Sequence, residues 1–154
     1  MLAPRGRRDA DKLGRRLANT GPAFGRPDAV APGLVLCSTA RRTEQTAQRV
    51  LAVLAAPPPV VLVHALYGAS PEGVLDEVRL VDDAVRSVMV VGHNPTAHDL
   101  AGDILSPDDR AGLAEVERRS FPTCALAVYR LPATQWVGVA MGTATLLGLF
   151  TPPF

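Results

Sequence analysis

Two arginines and a histidine stand where a protein chain can bind an anion. Arg41 and Arg42 open the helical pattern that follows the apolar run of residues 34–37, and His93 follows the apolar run of residues 88–91. Cations in the first turn of a helix oppose the helix dipole, so their placement there favours an anionic ligand. Guanidinium groups bind phosphate with two parallel hydrogen bonds, and helix N-termini add free N–H donors. The pattern therefore indicates a phosphate site, with a solvated arginine pair as the alternative for this segment alone.

The residues around His93 predict where its side chain points. Gly92 permits a tight exit from a strand, and Pro95 suits the first turn of a helix, where its missing N–H would have no partner. His93 is thus expected in the crevice outside the strand ends, where open α/β sheets bind ligands. A structural role explains a single histidine equally well. We expect His64, at the end of an apolar run, and His98, on a helical pattern, to be core-edge or surface histidines.

Other classes of site lack their motifs. The sequence contains no glycine-rich dinucleotide or nucleoside-triphosphate motif and no Gly-x-Ser-x-Gly. The three histidines do not have metal-ligand spacing, so no metal site is predicted. Cys37 and Cys124 lie in apolar runs and are expected to be buried, reduced thiols, which favours the cytoplasm.

Charge and hydropathy exclude two kinds of partner. The sequence has 16 basic and 15 acidic residues, and no basic run is long enough to bind nucleic acid. No stretch approaches the ~20 consecutive apolar residues of a membrane span. We therefore expect neither a nucleic acid nor a membrane as partner.

Short apolar runs alternate with helical patterns along one domain of 154 residues. Helices are predicted over residues 7–18, 40–55, 71–81, 96–105 and 108–117. Strands are predicted over residues 34–37, 60–63, 88–91, 124–131, 136–140 and 145–150. This alternation indicates a mainly parallel sheet that is buried on both faces, with an antiparallel addition near the C-terminus.

Turn and cap residues set the boundaries of these elements. Glycines and prolines make residues 19–33 a predicted surface loop. Ser38 or Thr39 is expected to be the N-cap of the helix at residues 40–55, which three prolines at residues 57–59 would stop. Ser70 is expected to cap the next helix, with a proline in its first turn.

Taken together, the two phosphate-site segments resemble the histidine phosphatase superfamily, and most closely its SixA-like phosphohistidine phosphatases. Ser38 opens a Ser-x-x-x-Arg-Thr-x-x-Thr-Ala motif, and Gly92 opens Gly-His-Asn-Pro. The pair in this order and spacing is fairly specific, whereas either motif alone is weak. Further matching pieces lie at residues 2–6, 66–67, 121–123 and 151–152. The resemblance therefore runs almost from end to end.

The resemblance implies a three-layer α/β/α sandwich with a mainly parallel sheet, the phosphoglycerate mutase-like fold, over residues 1–154. It also implies removal of a phosphoryl group through a covalent phosphohistidine intermediate, without metal or other cofactor. Carried over, Arg42 and His93 are the catalytic residues, and Ser38, Arg42 and Asn94 bind the substrate. The substrate would be a phosphohistidine protein or a small phosphoester. A mutase or phosphomonoester phosphatase of the same superfamily is the alternative.

One part of the family pattern has no counterpart. In the family, an Arg-His pair at the end of the first strand supplies the nucleophile, and no Arg-His dipeptide occurs in this sequence. We expect the natural polypeptide to carry that strand and motif upstream of Met1, and residues 1–154 alone to be inactive. The missing interior strand should leave unpaired backbone edges and an uncovered apolar face. A non-catalytic protein that binds a phosphate ligand is the alternative.

Overall fold

The computed structural model describes residues 1–20 and 31–154. The helices in these ranges are α1 (Pro4–Thr20), α2 (Arg41–Leu51), α3 (Pro71–Arg79), α4 (Thr96–Asp103) and α5 (Arg110–Arg119). The strands are β1 (Leu34–Ser38), β2 (Val60–Val63), β3 (Val88–Val91), β4 (Leu126–Arg130) and β5 (Thr145–Phe150). Short 3-10 helices span His64–Tyr67 and Trp136–Gly138. The predicted mixed α/β class is confirmed.

Strand β1 is the centre of a parallel three-stranded sheet in the order β2-β1-β3. Its continuous apolar run is explained by burial on both faces. Val35 and Cys37 pack with residues of α2, and Leu36 packs on the other face with residues of α3 and α4. The sheet therefore lies between two layers of helices, as predicted.

Strands β4 and β5 confirm the predicted antiparallel strands near the C-terminus, but among the described residues they form a separate two-stranded sheet. Within residues 1–20 and 31–154, β3 pairs only with β1, so its second edge has no strand partner. The residues of β3 are all apolar, yet each is only partly buried. The described residues thus leave one edge of the parallel sheet without a strand partner.

Helix α1 packs closely against α2 and begins earlier than predicted. Ala10, Leu13 and Leu17 form an apolar stripe that meets Val50. Gly14 lies on the same stripe, where an added Cβ would come 2.6 Å from the Val50 carbonyl oxygen. Glycine therefore permits the close approach of the two helices. Most of the predicted loop at residues 19–33 falls outside the described residues.

The predicted Ser70 cap is confirmed, and the structure shows a second cap at Asp109. The Ser70 hydroxyl accepts from the Gly73 N–H at 3.1 Å, and a proline opens α3. Asp109 caps α5 by accepting from the Gly112 N–H at 3.0 Å. Its second carboxylate oxygen accepts from the Leu146 N–H at 2.8 Å, which ties α5 to β5.

The predicted cap of α2 is wrong. Neither Ser38 nor Thr39 is the N-cap; Ala40 holds that position, with no side-chain hydrogen bond. Ser38 is instead the last residue of β1 and is fully buried, because its hydroxyl bonds across the sheet edge. The helix also ends at Leu51, before the prolines that were expected to stop it.

Two predicted strands need correction. Val60, Val61 and Leu62 of β2 are 43–52% exposed, so this strand is not buried. Among the described residues β2 is an edge strand that pairs only with β1. Residues 136–140 do not form a strand: Trp136 opens a 3-10 helix instead, and its indole N–H donates to the Val85 carbonyl at 2.8 Å. No helix in the part of the chain described here is long and apolar enough to cross a membrane.

Candidate active site

The carboxyl ends of three parallel strands meet at one edge of the sheet. Ser38 ends β1 and is the register partner of Val63 in β2. One step further along each strand, Thr39 and His64 therefore lie level with each other. His93 follows β3 by two residues and reaches the same edge from the other side of β1. The strand order thus brings together residues far apart in the sequence.

His93 is held between a serine and an arginine. Its Nε2 lies 2.8 Å from the Ser38 hydroxyl, and its Nδ1 lies 3.0 Å from an Nη2 nitrogen of Arg42. A guanidinium can only donate, so Nδ1 must accept and be unprotonated. The remaining imidazole proton then lies on Nε2 and is donated to Ser38. This arrangement fixes both the tautomer and the orientation of the ring.

The surroundings favour the neutral form of His93. Burial lowers the pKa of His93 below its usual value, and the nearby charge of Arg42 lowers it further. Both effects disfavour the imidazolium, because it would lose water and face a cation. An anion bound beside both groups would reverse the second effect. The pair is therefore suited to bind an oxyanion.

Thr43 holds the turn between β1 and α2. Its buried hydroxyl lies 2.8 Å from the Ser38 carbonyl oxygen and 2.6 Å from that of Ala40. These contacts fix the first turn of α2 against the strand end. The first N–H groups of a helix have no partner inside it and attract anions. The helix N-terminus and Arg42 consequently serve the same edge of the sheet.

Asn94 has a partner outside this pair. Its side-chain N–H donates to the Phe121 carbonyl at 3.1 Å, so it joins the end of β3 to the segment before β4. Nearby, the Thr96 hydroxyl donates to the Ala69 carbonyl at 2.7 Å. Of the predicted site residues, Ser38, Arg42 and His93 thus come into contact. The substrate-binding role of Asn94 remains a prediction.

Sequence reasoning missed three residues at this edge. The Thr39 hydroxyl lies 3.2 Å from Nδ1 of His64, whose ring is nearly parallel to that of Tyr67. Tyr67 in turn meets the ring of His93 edge-on. The position of His64 directly after β2 was the available signal, since strand ends of a parallel sheet share one edge.

The two cysteines are poor candidates for a nucleophile. Both are free thiols. Burial raises the pKa of Cys37, which directly precedes Ser38, and raises the pKa of Cys124 to about 11. A thiol in such surroundings stays protonated near neutral pH and reacts slowly. Among the described residues, no group of three or more histidine, cysteine or acidic side chains is placed to hold a metal ion.

Comparison with other sequences finds similar proteins over nearly the whole chain. An uncharacterized protein of Mycobacterium tuberculosis is 40% identical over 152 residues, which are 98% of this chain and 88% of that protein. An uncharacterized protein of Mycobacterium leprae is 30% identical over 151 residues, 98% of this chain and 86% of that protein. No family model matches the sequence.

Comparison with solved structures finds the same architecture. A protein of Nakamurella multipartitia, assigned as phosphohistidine phosphatase SixA, is 28% identical with a TM-score of 0.79, over 99% of this chain and 85% of that one. A protein of Agrobacterium tumefaciens, likewise assigned as phosphohistidine phosphatase SixA, is 26% identical with a TM-score of 0.71, over 98% of this chain and 83% of that one. A protein histidine phosphatase SixA complexed with tungstate, 21% identical with a TM-score of 0.66 over 98% and 83%, shares the fold.

Proposed function

We propose that this chain, which belongs to the SixA-like branch of the histidine phosphatase superfamily, removes a phosphoryl group from a phosphohistidine side chain of another protein. The observation that carries the proposal is the contact of His93 with both Ser38 and Arg42, at 2.8 and 3.0 Å. A cationic donor and an imidazole beside the N-terminus of a helix suit a phosphoryl group or a similar oxyanion.

Each residue has a separate task in this reaction. A phosphoryl group in transfer carries its charge on the equatorial oxygens, and fixed donors around them lower the barrier. Arg42 donates to those oxygens as a permanent cation. His93 donates from Nδ1 once this nitrogen is released from Arg42 and takes up a proton, and the Ser38 hydroxyl keeps the ring in place. The first N–H groups of α2 add donors that do not depend on a protonation step.

The nucleophile must come from another histidine. In the proposed mechanism its nitrogen forms a bond to phosphorus while the bond to the leaving group breaks, and water later takes the phosphoryl group. None of the three histidines of this chain follows an arginine. We propose that the nucleophile follows a strand, outside residues 1–154, that pairs with the edge of β3 to which residues 1–20 and 31–154 supply no strand. This edge of β3 and its partly exposed apolar residues support this placement.

A second candidate function is phosphate binding without turnover. The lack of an Arg-His dipeptide in the sequence favours it. The two candidates differ in the intact mass of the protein from its native source. A mass of several kilodaltons above 16.2 kDa would leave room for the strand and its histidine, whereas 16.2 kDa would favour the binding protein.

Both candidates require the same pocket, which can be tested directly. We expect the 154-residue chain to bind tungstate or inorganic phosphate, as measured by calorimetry. The Arg42→Ala variant should lose most of this affinity, and the Arg41→Ala variant, with the same loss of charge one residue away, should keep most of it. Failure of the unaltered chain to bind either oxyanion would overturn the proposal.

A further inference from the structure

A series of contacts links five residues beside the proposed phosphate site. It runs from Ser38 through the adjacent Thr39 to His64, whose Nδ1 lies 3.2 Å from the Thr39 hydroxyl. The His64 and Tyr67 rings are nearly parallel, 17° apart in plane, with centroids separated by 6.3 Å. Tyr67 meets His93 edge-on at 5.6 Å, and His93 contacts Ser38. Thr39, His64 and Tyr67 thus lie beside the proposed phosphate-binding residues without being part of them.

Tyr67 is an exposed ring on a fixed support. Tyr67 is 54% exposed, whereas the preceding Leu66 is 3% exposed and anchors the 3-10 helix in the core. An exposed aromatic ring leaves apolar surface in contact with water, which is unfavourable. A flat ligand ring would cover this surface. Because Leu66 holds the backbone, Tyr67 offers this face at a constant place beside His93.

We propose that Tyr67 and His64 form a leaving-group subsite that takes a flat ring attached to the phosphoryl group. In a phosphohistidine this ring is the imidazole. The subsite rests on the proposed function, since the phosphoryl group must first lie against Arg42 and His93. Tyr67 touches His93, so a leaving group on that phosphoryl group comes next to the Tyr67 ring. Thr39 holds His64 in the orientation that continues the row of rings.

The subsite gives the pocket a means of selection that oxyanion binding lacks. Arg42, His93 and helix N–H groups meet only phosphoryl oxygens, which are alike in every phosphate compound. Stacking between aromatic rings contributes beyond simple burial of area, and its size corresponds to an affinity ratio of about three- to ten-fold. A flat ring should therefore be preferred over an alkyl group by this ratio.

The test compares two stable phosphonates on the 154-residue chain. Methylphosphonate presents the phosphoryl group alone, and (imidazol-4-yl)methylphosphonate adds the ring. We expect the ring compound to bind about three- to ten-fold more tightly. The Tyr67→Leu variant should reduce this ratio to near one, because leucine keeps an apolar side chain without a flat face. The Tyr67→Phe variant should keep the ratio.

The outcomes separate this subsite from the function on which it depends. Equal affinity of the unaltered chain for both phosphonates would overturn the subsite alone. A ratio that persists in Tyr67→Leu would show that the ring binds elsewhere, which also overturns it. If neither phosphonate binds, the proposed function falls and takes the subsite with it.

Discussion

An Nη2 nitrogen of Arg42 lies 3.0 Å from Nδ1 of His93, so the two groups that would bind a phosphoryl group bind each other in this structure. The contact requires a neutral imidazole, because only an unprotonated nitrogen can accept from a guanidinium. An oxyanion that enters between them must replace this bond with two stronger, charge-assisted ones. Binding of the anion and protonation of His93 are therefore coupled.

The first prediction is that an oxyanion raises the pKa of His93. Burial and the charge of Arg42 hold this pKa below 6.5, and a bound anion would compensate the imidazolium. Proton NMR of the His93 ring, with and without saturating tungstate, should show an upward shift. In the Arg42→Gln variant the pKa should already be higher before tungstate is added. No shift on binding would contradict the proposed contact of His93 with the anion.

The same lowered pKa makes stability depend on pH. The unfolded chain takes up its proton near pH 6.5 and the folded protein takes it up only at lower pH, so the unfolded state binds more protons between these values. The contribution of His93 is full above pH 6.5 and is lost as the pH falls through its folded pKa. Urea unfolding of the unaltered chain and of His93→Gln should show a smaller pH dependence in the variant over this window.

Loss of either donor should reduce turnover in a polypeptide that carries the nucleophile. We expect Arg42→Ala and His93→Ala each to lower kcat/KM for a phosphohistidine substrate by on the order of 10²-fold or more, as loss of a charge-stabilising donor does. Arg41→Ala is the matched control and should remain close to the unaltered enzyme. Near-normal activity of both variants would refute the assigned site.

The order of strands explains why the site was only partly predictable. The types of Arg42 and His93 and the strand ends before them indicated one phosphate site. The periodicity of apolar residues does not reveal which strands are neighbours, so the proximity of His64 to Thr39 could not be inferred. It follows from the register of β2 on β1. For the same reason, the exposure of β2 as an edge strand was missed.

Competing uses of one side chain explain the wrong cap. Serine after a strand and before a helix normally caps the helix. Here Ser38 is fully buried, and its hydroxyl lies 2.8 Å from Nε2 of His93, a partner 55 residues away. The first turn of α2 is held instead by Thr43, which binds two backbone carbonyls. A local sequence pattern cannot weigh a contact that distant residues supply.

Asp109 should contribute more to stability than its neighbour Asp108. Its carboxylate both caps α5 and accepts from the Leu146 N–H of β5, so Asp109→Ala leaves two backbone donors without a partner. We expect the free energy of unfolding to fall by about 1–3 kcal/mol. Asp108→Ala removes the same charge from an exposed position and should stay within about 0.5 kcal/mol. Chemical denaturation of both variants measures the difference, and equal effects would contradict the double role.

Two glycines in helices should respond oppositely to the same added methyl group. A Cβ at Gly14 of α1 would meet the Val50 carbonyl oxygen at 2.6 Å and its Cα at 3.1 Å, and backbone atoms cannot turn aside as a side chain can. We expect Gly14→Ala to lower the free energy of unfolding by about 1–3 kcal/mol, because α1 must move away from α2.

Gly102 of α4 has nothing within 4 Å of its Cβ position, so Gly102→Ala should raise stability by up to about 1 kcal/mol through its better helix propensity. Thermal unfolding of the two variants should therefore give Tm shifts of opposite sign. A stabilised Gly14→Ala protein would show that the helices do not approach each other as closely as described.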